Sequence, residues 1–384
     1  MALRLLLQPP HFYRLGIEQL ASHWEEILNN RLGGAQYFSK LDLKSGYWQI
    51  PLEQAGREKT AFITPDGLFQ FKMMRFGLSN APASFSRLMD QVLGDMKWTV
   101  CLTYLDDILI FSSKAFSSPK DGGNCTGKKR TRLQPTKCVI ATDKTGVFLR
   151  WCPEFGYTRR DYAIGVNPRN SVTDPKTEYL GHVIDVEGVR PNPSKLDAIS
   201  AFPRPQTVRQ LRRFIGMSSY YRRFVRNYAA IVRPLVSLLK KKGEWTWDDD
   251  QEKAFQGLKE RMKHPPVLQH FREDWPIELH CDASKEGLGA VLIQSKNGQE
   301  HVIAYFSRML TMTEEKYHSN ELECLAIVWA LRMSRPYVLG RKLKIITDNS
   351  AVKWLFKRQQ SNDKFGRWTL AVMEYLNDCE FVHR

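Results

Sequence analysis

Two adjacent carboxylates, Asp106 and Asp107, interrupt an otherwise apolar run, Thr103-Tyr104-Leu105-Asp106-Asp107-Ile108-Leu109-Ile110-Phe111. Neighbouring acids on one strand point to opposite faces and repel each other, so the middle of a core strand gives no reason for the pair. A hairpin tip gives one, because an exposed turn can hold both acids beside a hard cation such as Mg²⁺. The alternative is a solvated turn. Asp42 poses the same question, lying in a strand expected over 37–43. A charge among apolar neighbours is costly unless it is paired or binds a metal, or unless it caps a turn at the strand end. Further on, Ile277-Glu278-Leu279-His280-Cys281-Asp282 alternates as a strand and closes on an acid, as does Leu343-Lys344-Ile345-Ile346-Thr347-Asp348. Between them a helix over 320–331 places Glu323 on one face with Ile327 and Ala330. Asn320-x-x-Glu323 also has the spacing of a capping box, and Glu321 is a rival for the chemical position. The run Asp248-Asp249-Asp250 reads as a capping cluster at the positive end of a helix rather than a metal site.

The elements that must position these acids follow from periodicity and turn chemistry. Pro65-Asp66-Gly67 marks a turn between strands expected over 60–64 and 68–74. The segment Arg75-Phe76-Gly77-Leu78-Ser79-Asn80-Ala81-Pro82 leads into a helix with Phe85, Leu88, Met89 and Val92 as its buried stripe. Residues 178–189 read as strand, turn and strand, with Gly188 at the turn, and Ser194 is expected to cap a helix that buries Leu196 and Ile199. Residues 208–228 are basic and aromatic. Arg212, Arg213, Arg222 and Arg223 there could grip a duplex backbone, the alternative being a solvated arginine face over an aromatic core. A following helix buries Ala254, Phe255, Leu258 and Met262, Pro265-Pro266 ends it, and a domain boundary is expected near 270–276. An amphipathic helix is expected over 23–32, ended by Gly33-Gly34.

Length and composition bound the answer. A chain of 384 residues suggests two or three domains, and 42% hydrophobic residues suffice for real cores. Fifty-seven Lys and Arg against 41 Asp and Glu leave a net charge of +16, which favours polyanionic partners, nucleic acid first among them. The seven cysteines are odd in number and contain no C-x-x-C pair, so neither a disulfide framework nor a zinc site is indicated. The apolar opening is too short for a secretory core, and no apolar stretch reaches the ~18 residues of a membrane span. The expectation is a soluble, intracellular protein with no membrane partner.

Three segments in order, Phe38-Ser39-Lys40-Leu41-Asp42-Leu43-Lys44-Ser45-Gly46-Tyr47, then Phe76-Gly77-Leu78-Ser79-Asn80-Ala81-Pro82, then Tyr104-Leu105-Asp106-Asp107, resemble the successive palm motifs of a reverse transcriptase. The wording is nearest to the Ty3/gypsy class of LTR retrotransposon polyproteins. Phe214 to Phe224 resembles the thumb and connection of that family, and the acids Asp282, Glu323 and Asp348 resemble the ribonuclease H fold that follows it. The resemblance covers 32–113 and 176–384. It implies an α+β protein: an antiparallel palm sheet with helices, a thumb and connection, then an α/β ribonuclease H-like domain with a mixed sheet.

The implied domains are a truncated N-terminal remnant (1–34), the palm (35–113), an irregular or disordered insertion (114–175), the end of the palm with thumb and connection (176–274), and a C-terminally truncated ribonuclease H-like domain (275–384). The insertion resembles no part of the family apart from 137–145. Asp42 and Asp106, with Asp107 beside them, are implied to hold two Mg²⁺ ions, and Asp282, Glu323 and Asp348 to hold two more. Tyr47 matches the aromatic gate against a ribose 2′-OH, while Phe76 and Gly77 line the nucleotide pocket. The implied partners are an RNA template, a DNA primer, an RNA–DNA hybrid and dNTPs. In the family a fourth ribonuclease H acid lies beyond the position of Arg384, and basic fingers residues lie upstream. The implied function is RNA-directed DNA polymerase with ribonuclease H activity. The alternatives are an inactive nucleic-acid-binding remnant and a polymerase confined to DNA templates.

Overall fold

The computed structural model describes residues 30–43, 45–113, 130–133, 138–143, 146–151, 163–166, 175–239, 245–348, 364–376 and 378–383, with the strands between 130 and 166 described by their backbone alone. Most of the helix expected over 23–32 lies outside these residues. The chain divides into two compact units, one built on Gly34–Tyr179 and the other on Leu180–Arg384 with the segment ending at Gly33.

The first unit is organised by a three-stranded antiparallel sheet in the order β1 (Tyr37–Asp42), β5 (Asp107–Ser112), β4 (Cys101–Tyr104). Its central strand, Asp107 to Ser112, is buried from Ile108 to Phe111, as an apolar run covered on both faces must be. Helix α1 (Ala81–Leu93) covers one face. Its Phe85 and Met89 join Leu41, Cys101, Ile108 and Ile110 in a single core, so the stripe read from the sequence is the packing face. Pro65-Asp66-Gly67 does turn a hairpin, but the paired strands are short, β2 (Phe62–Thr64) and β3 (Gly67–Phe69). Residues beyond Phe69 turn instead toward residues 50–52, where Leu52 N–H donates to the Lys72 carbonyl and Met74 N–H to the Ile50 carbonyl. Within 114–175, where the sequence suggested an irregular insertion, four strands form an antiparallel meander: β6 (Arg130–Leu133), β7 (Cys138–Asp143), β8 (Gly146–Trp151) and β9 (Ala163–Val166). Val139-Ile140 and Val147-Phe148-Leu149 supply the β-branched and aromatic content that favours strands. Strand β10 (Lys176–Tyr179) ends the unit.

The second unit opens on the antiparallel pair β11 (His182–Asp185) and β12 (Val189–Pro191), joined through Gly188. A methyl group at Gly188 would lie 2.1 Å from the Leu268 carbonyl oxygen, and its φ is +152°, so the turn admits only glycine. Helix α2 (Pro193–Ser200) is capped by Asn192, whose side chain accepts from Ser194 N–H at 3.0 Å. Ser194 is therefore inside the first turn and is not the cap, because Pro193 already occupies the first helical position. Helices α3 (Val208–Tyr220), α4 (Tyr228–Ser237) and α5 (Asp249–Lys263) follow. Asp248 and Gln251 form a capping box, and Ala254, Phe255, Leu258 and Met262 are buried as expected.

The C-terminal part is a mixed five-stranded sheet in the order β15 (Gln299–Met309), β14 (Gly287–Lys296), β13 (Ile277–Ala283), β16 (Leu343–Thr347), β17 (Cys379–His383). β13 runs parallel to β16, and β16 to β17, while the β13–β14 and β14–β15 pairs are antiparallel. Helix α6 (Ser319–Val338) is buried from Leu322 to Val328 and shares one core with Ile277, Leu279 and Cys281 of β13; helix α7 (Lys364–Leu376) adds Val372 and Tyr375. Among the described residues no helix is long and apolar enough to cross a membrane.

Candidate active sites

The β4–β5 hairpin brings the first set of acids together. Asp107 lies directly across from Asp42 in the β1–β5 ladder, and Leu43 N–H donates to the Asp106 carbonyl at 3.0 Å. The two-residue loop places Leu105 at φ +52°, a left-handed conformation that hairpin loops usually give to Gly or Asn. Such backbone strain costs on the order of 1–3 kcal/mol and gathers at functional sites. Asp106 is turned toward Gly46 and Phe85, and a methyl group at Gly46 would sit 2.6 Å from Asp106 Oδ1 and 2.8 Å from the Phe85 ring. The Asp106 Oδ1 atom is buried and has no hydrogen-bond partner. Burial raises the Asp106 pKa above the ordinary carboxylate value, and the charges of Asp42 and then Asp107 raise it further. A buried carboxylate oxygen left without a donor, beside two more carboxylates, fits a hard divalent cation.

The second set lies in the C-terminal sheet. Asp282 is near the end of β13, Asp348 follows β16, and Glu323 is in the second turn of α6. Because β13 and β16 are parallel, both acids emerge at the same sheet end, and one oxygen from each of the three carboxylates lies within 4.8 Å of the others. Glu323 is 4% exposed, its Oε2 has no hydrogen-bond partner, and its pKa is pushed up to about 7, by burial first, then by Asp348 and Asp282. The Ala283 N–H opposes that shift by donating to the carboxylate. The capping-box reading of Glu323 is corrected here. His318 is the N-cap and Glu321 its partner, with His318 N–H donating to Glu321 Oε2 at 3.1 Å. Glu321 also meets Lys364 Nζ at 2.5 Å, so the rival acid is occupied and Glu323 is left to the cluster. These three carboxylates fit a divalent cation on the same grounds as the first set.

Comparison with known proteins carries the decision. The profile of the family described as "Reverse transcriptase (RNA-dependent DNA polymerase)" matches residues 3–184, and that of the "RNase H-like domain found in reverse transcriptase" matches 273–375. The chain belongs to the reverse transcriptases of LTR retrotransposon Pol polyproteins. Among its curated relatives, the retrovirus-related Pol polyproteins from transposons opus and 297 of Drosophila melanogaster are 32% and 35% identical over 92% and 93% of this chain. That from transposon gypsy of the same species is 34% identical over 89%. The chain spans about a third of the length of these relatives: 33%, 31% and 31%. The foamy viral protease-reverse transcriptase, solved in complex with RNA/DNA hybrid, superposes with a TM-score of 0.67 at 19% identity, covering 94% of this chain and 45% of that one. At that identity the likeness speaks for the fold. The reverse transcriptase profile also runs through the stretches before residue 32 and between 114 and 175, where the sequence itself carried almost no resemblance.

Around the acids of the first unit, Tyr47 is 7% exposed and packs against Phe76 at 4.9 Å and Phe85 at 5.3 Å between ring centroids. Phe76 is 55% exposed, and Gly77 takes φ +90°, so the loop needs glycine at that position. The four arginines divide. Arg212 and Arg213 are exposed on α3 and Arg222 is half-buried, whereas Arg223 is 3% exposed with its guanidinium 5.6 Å from the Phe306 ring centroid. The expectation of a backbone contact from Arg223 is corrected accordingly, because its cation is spent on the core. Three positioning features escaped the sequence reading. Lys40 Nζ lies 2.9 Å from Asp107 Oδ1. The buried Tyr179 hydroxyl donates to the Asp107 carbonyl at 3.2 Å. Gly46 makes room for Asp106. Strand alternation puts Lys40 beside Asp42 and was a readable signal, but nothing local announces a partner 72 residues away.

Proposed function

We propose that the chain is a Mg²⁺-dependent RNA-directed DNA polymerase whose C-terminal domain hydrolyses the RNA strand of RNA–DNA hybrids. The reading rests on one observation above all: each of the two domains gathers acids from distant parts of the chain, and each gathering contains a buried carboxylate oxygen with no donor. In the palm, Asp42 and Asp106 would hold the ions, with Asp107 beside them. In the second domain Asp282, Glu323 and Asp348 would do so. When bound, paired divalent ions lower the pKa of the attacking hydroxyl or water and stabilise the charge on the leaving oxygen.

The protein's own residues supply the rest. Tyr47 would act as the gate against a ribose 2′-OH, and its packing against Phe76 and Phe85 holds its ring in place. Gly77 lets the backbone approach the nucleotide. Arg212 and Arg213 present cations to a duplex backbone, and the net charge of +16 favours that encounter. The foamy viral relative of the fold was solved with RNA/DNA hybrid and with dsDNA, which supports the same class of partner here.

The test is primer extension with dNTPs on an RNA template, run beside cleavage of a labelled hybrid, for the natural chain and for Asp106→Asn/Asp107→Asn. Mg²⁺-dependent extension by the natural chain and none by the variant supports the reading. Hybrid binding without extension or cleavage by the natural chain would leave an inert nucleic-acid-binding remnant. Extension on DNA templates alone would leave a polymerase confined to DNA templates.

A further inference from the structure

The palm sheet carries a cation that polymerase chemistry does not require. Lys40 and Asp42 are two residues apart on β1 and so share one sheet face. Across the β1–β5 ladder Asp42 opposes Asp107 and Lys40 opposes Leu109. Two carboxylates directly opposite one another repel, and Lys40, one pleat away, answers that repulsion by placing Nζ 2.9 Å from Asp107 Oδ1. Both side chains are about one-third exposed, at 35% and 31%, so the pair sits at the site's edge and not in open solvent. Asp107 is held at a second point, through the Tyr179 hydroxyl on its carbonyl. Asp106, its neighbour in the chain, is turned instead toward Gly46 and Phe85, with one oxygen left without a partner.

We infer that Lys40 is a positioning residue that withholds Asp107 from the divalent-ion site, so that ions are shared between Asp42 and Asp106 alone. The inference rests on the proposed ion site and adds a division of labour within the twin acids. Without the Lys40 cation Asp107 loses its ion pair and stands beside Asp106 and Asp42 with its charge released. A divalent ion would then be held more tightly, by the added negative charge and by Asp107 as a third ligand, at the expense of the Asp42 and Asp106 arrangement that turnover needs. Affinity rises while turnover falls. A lysine with a merely structural role predicts no gain in affinity.

The experiment measures Mn²⁺ binding to the full chain by calorimetry, with Asp282→Asn and Glu323→Gln present in every sample to silence the second cluster. In that background Lys40→Met should bind Mn²⁺ on the order of tenfold more tightly, as removal of a unit charge a few ångströms from the ion implies. Its primer extension at saturating ion should fall, and its metal-free melting temperature should drop and be restored by Mn²⁺. Lys40→Arg should match the parent. Asp107→Asn alone should weaken Mn²⁺ binding by no more than the roughly tenfold that loss of one nearby charge implies, and added to Lys40→Met it should cancel the gain. Unchanged or weaker binding by Lys40→Met, or loss of binding in Asp107→Asn, overturns the inference. Should Lys40→Met not fold, the Asp107→Asn measurement decides alone. If Asp42→Asn/Asp106→Asn binds Mn²⁺ as the parent does, the ion-site reading itself falls, which is a separate outcome.

Discussion

In the palm, the acids come from two antiparallel strands and the turn of a two-residue hairpin, and a lysine shares their sheet face. In the C-terminal domain they come from the ends of two parallel strands and an early turn of a helix, and among the described residues none of them is in an ion pair. The difference shows in the protonation of the central acid of each set. Burial, then Asp42 and Asp107, raise Asp106 above its ordinary value, whereas burial, then Asp348 and Asp282, push Glu323 up to about 7. A hairpin leaves room for a counter-ion on an adjacent strand. A helix packed face-on against a sheet does not, so burial and the like charges of Asp348 and Asp282 act on Glu323 together.

The largest effects should come from crossing the two sites. Asp106→Asn should lower primer extension by about 10³-fold or more and leave hybrid cleavage within about twofold of the parent. Asp282→Asn should do the reverse. Loss of both activities from either change would break the comparison, since it would mean that the two clusters act as one. Next in size is Gly46→Ala, whose new methyl must displace either Asp106 or the Phe85 ring, both under 3 Å away. Extension should fall by roughly 10–100-fold while primer–template affinity holds, because a shift of about an ångström in a metal ligand acts on turnover. An Ala variant that extends normally would show that Asp106 has latitude the packing does not suggest.

A pH measurement sharpens the contrast. The folded-state pKa of Glu323 is raised above its unfolded value, so the protonated form contributes stability that is fully present below the ordinary carboxylate pKa and is lost as pH rises through about 7. The metal-free chain should therefore melt at progressively lower temperature from pH 5 to pH 8, and Mg²⁺ should restore much of the loss at pH 8. Glu323→Gln should flatten that dependence and abolish cleavage. Binding of Mg²⁺ near pH 6.5 should also release a proton from this cluster, read as a buffer-dependent binding enthalpy that fades by pH 8.5. A melting temperature independent of pH in the natural chain would contradict the burial of an uncompensated Glu323.

Much of both sites could be read before any fold was known, and the reasons are local. Asp42, Asp106, Asp282 and Asp348 stand out because a strand pattern makes a carboxylate expensive, and strands betray themselves by alternation. The legible part of the fold was likewise the periodic part: the stripe of α1, the buried face of α5 and the hairpin around Pro65-Asp66-Gly67. What escaped depends on pairing at a distance. Helix spacing already set Glu323 on the buried face with Ile327 and Ala330, but the pairing of Glu321 with His318 and Lys364 was not legible. Asn192 outcompetes Ser194 as a cap because Pro193 sets the first helical position, a detail of one residue's register. The meander between 130 and 166 has strand-forming residues, but the glycine- and lysine-rich text around them hid the period.

The arginines of the second unit give the smallest expected effect, and they test whether charge in a sequence can be read as surface. Arg213 and Arg223 look alike in composition, yet one is exposed on α3 and the other is 3% exposed over Phe306. An exposed cation that meets a phosphate releases about one counter-ion, so Arg213→Ala should weaken hybrid binding a few-fold and make the log–log salt slope shallower by about 1. Arg223→Ala removes packing and a cation–π contact from the core and should lower stability by about 2–4 kcal/mol, read by urea titration, with the salt slope unchanged. The two readouts are independent, so each variant serves as the other's control. A salt slope altered by Arg223→Ala but not by Arg213→Ala would reverse the assignment and place the duplex on a different face of this unit.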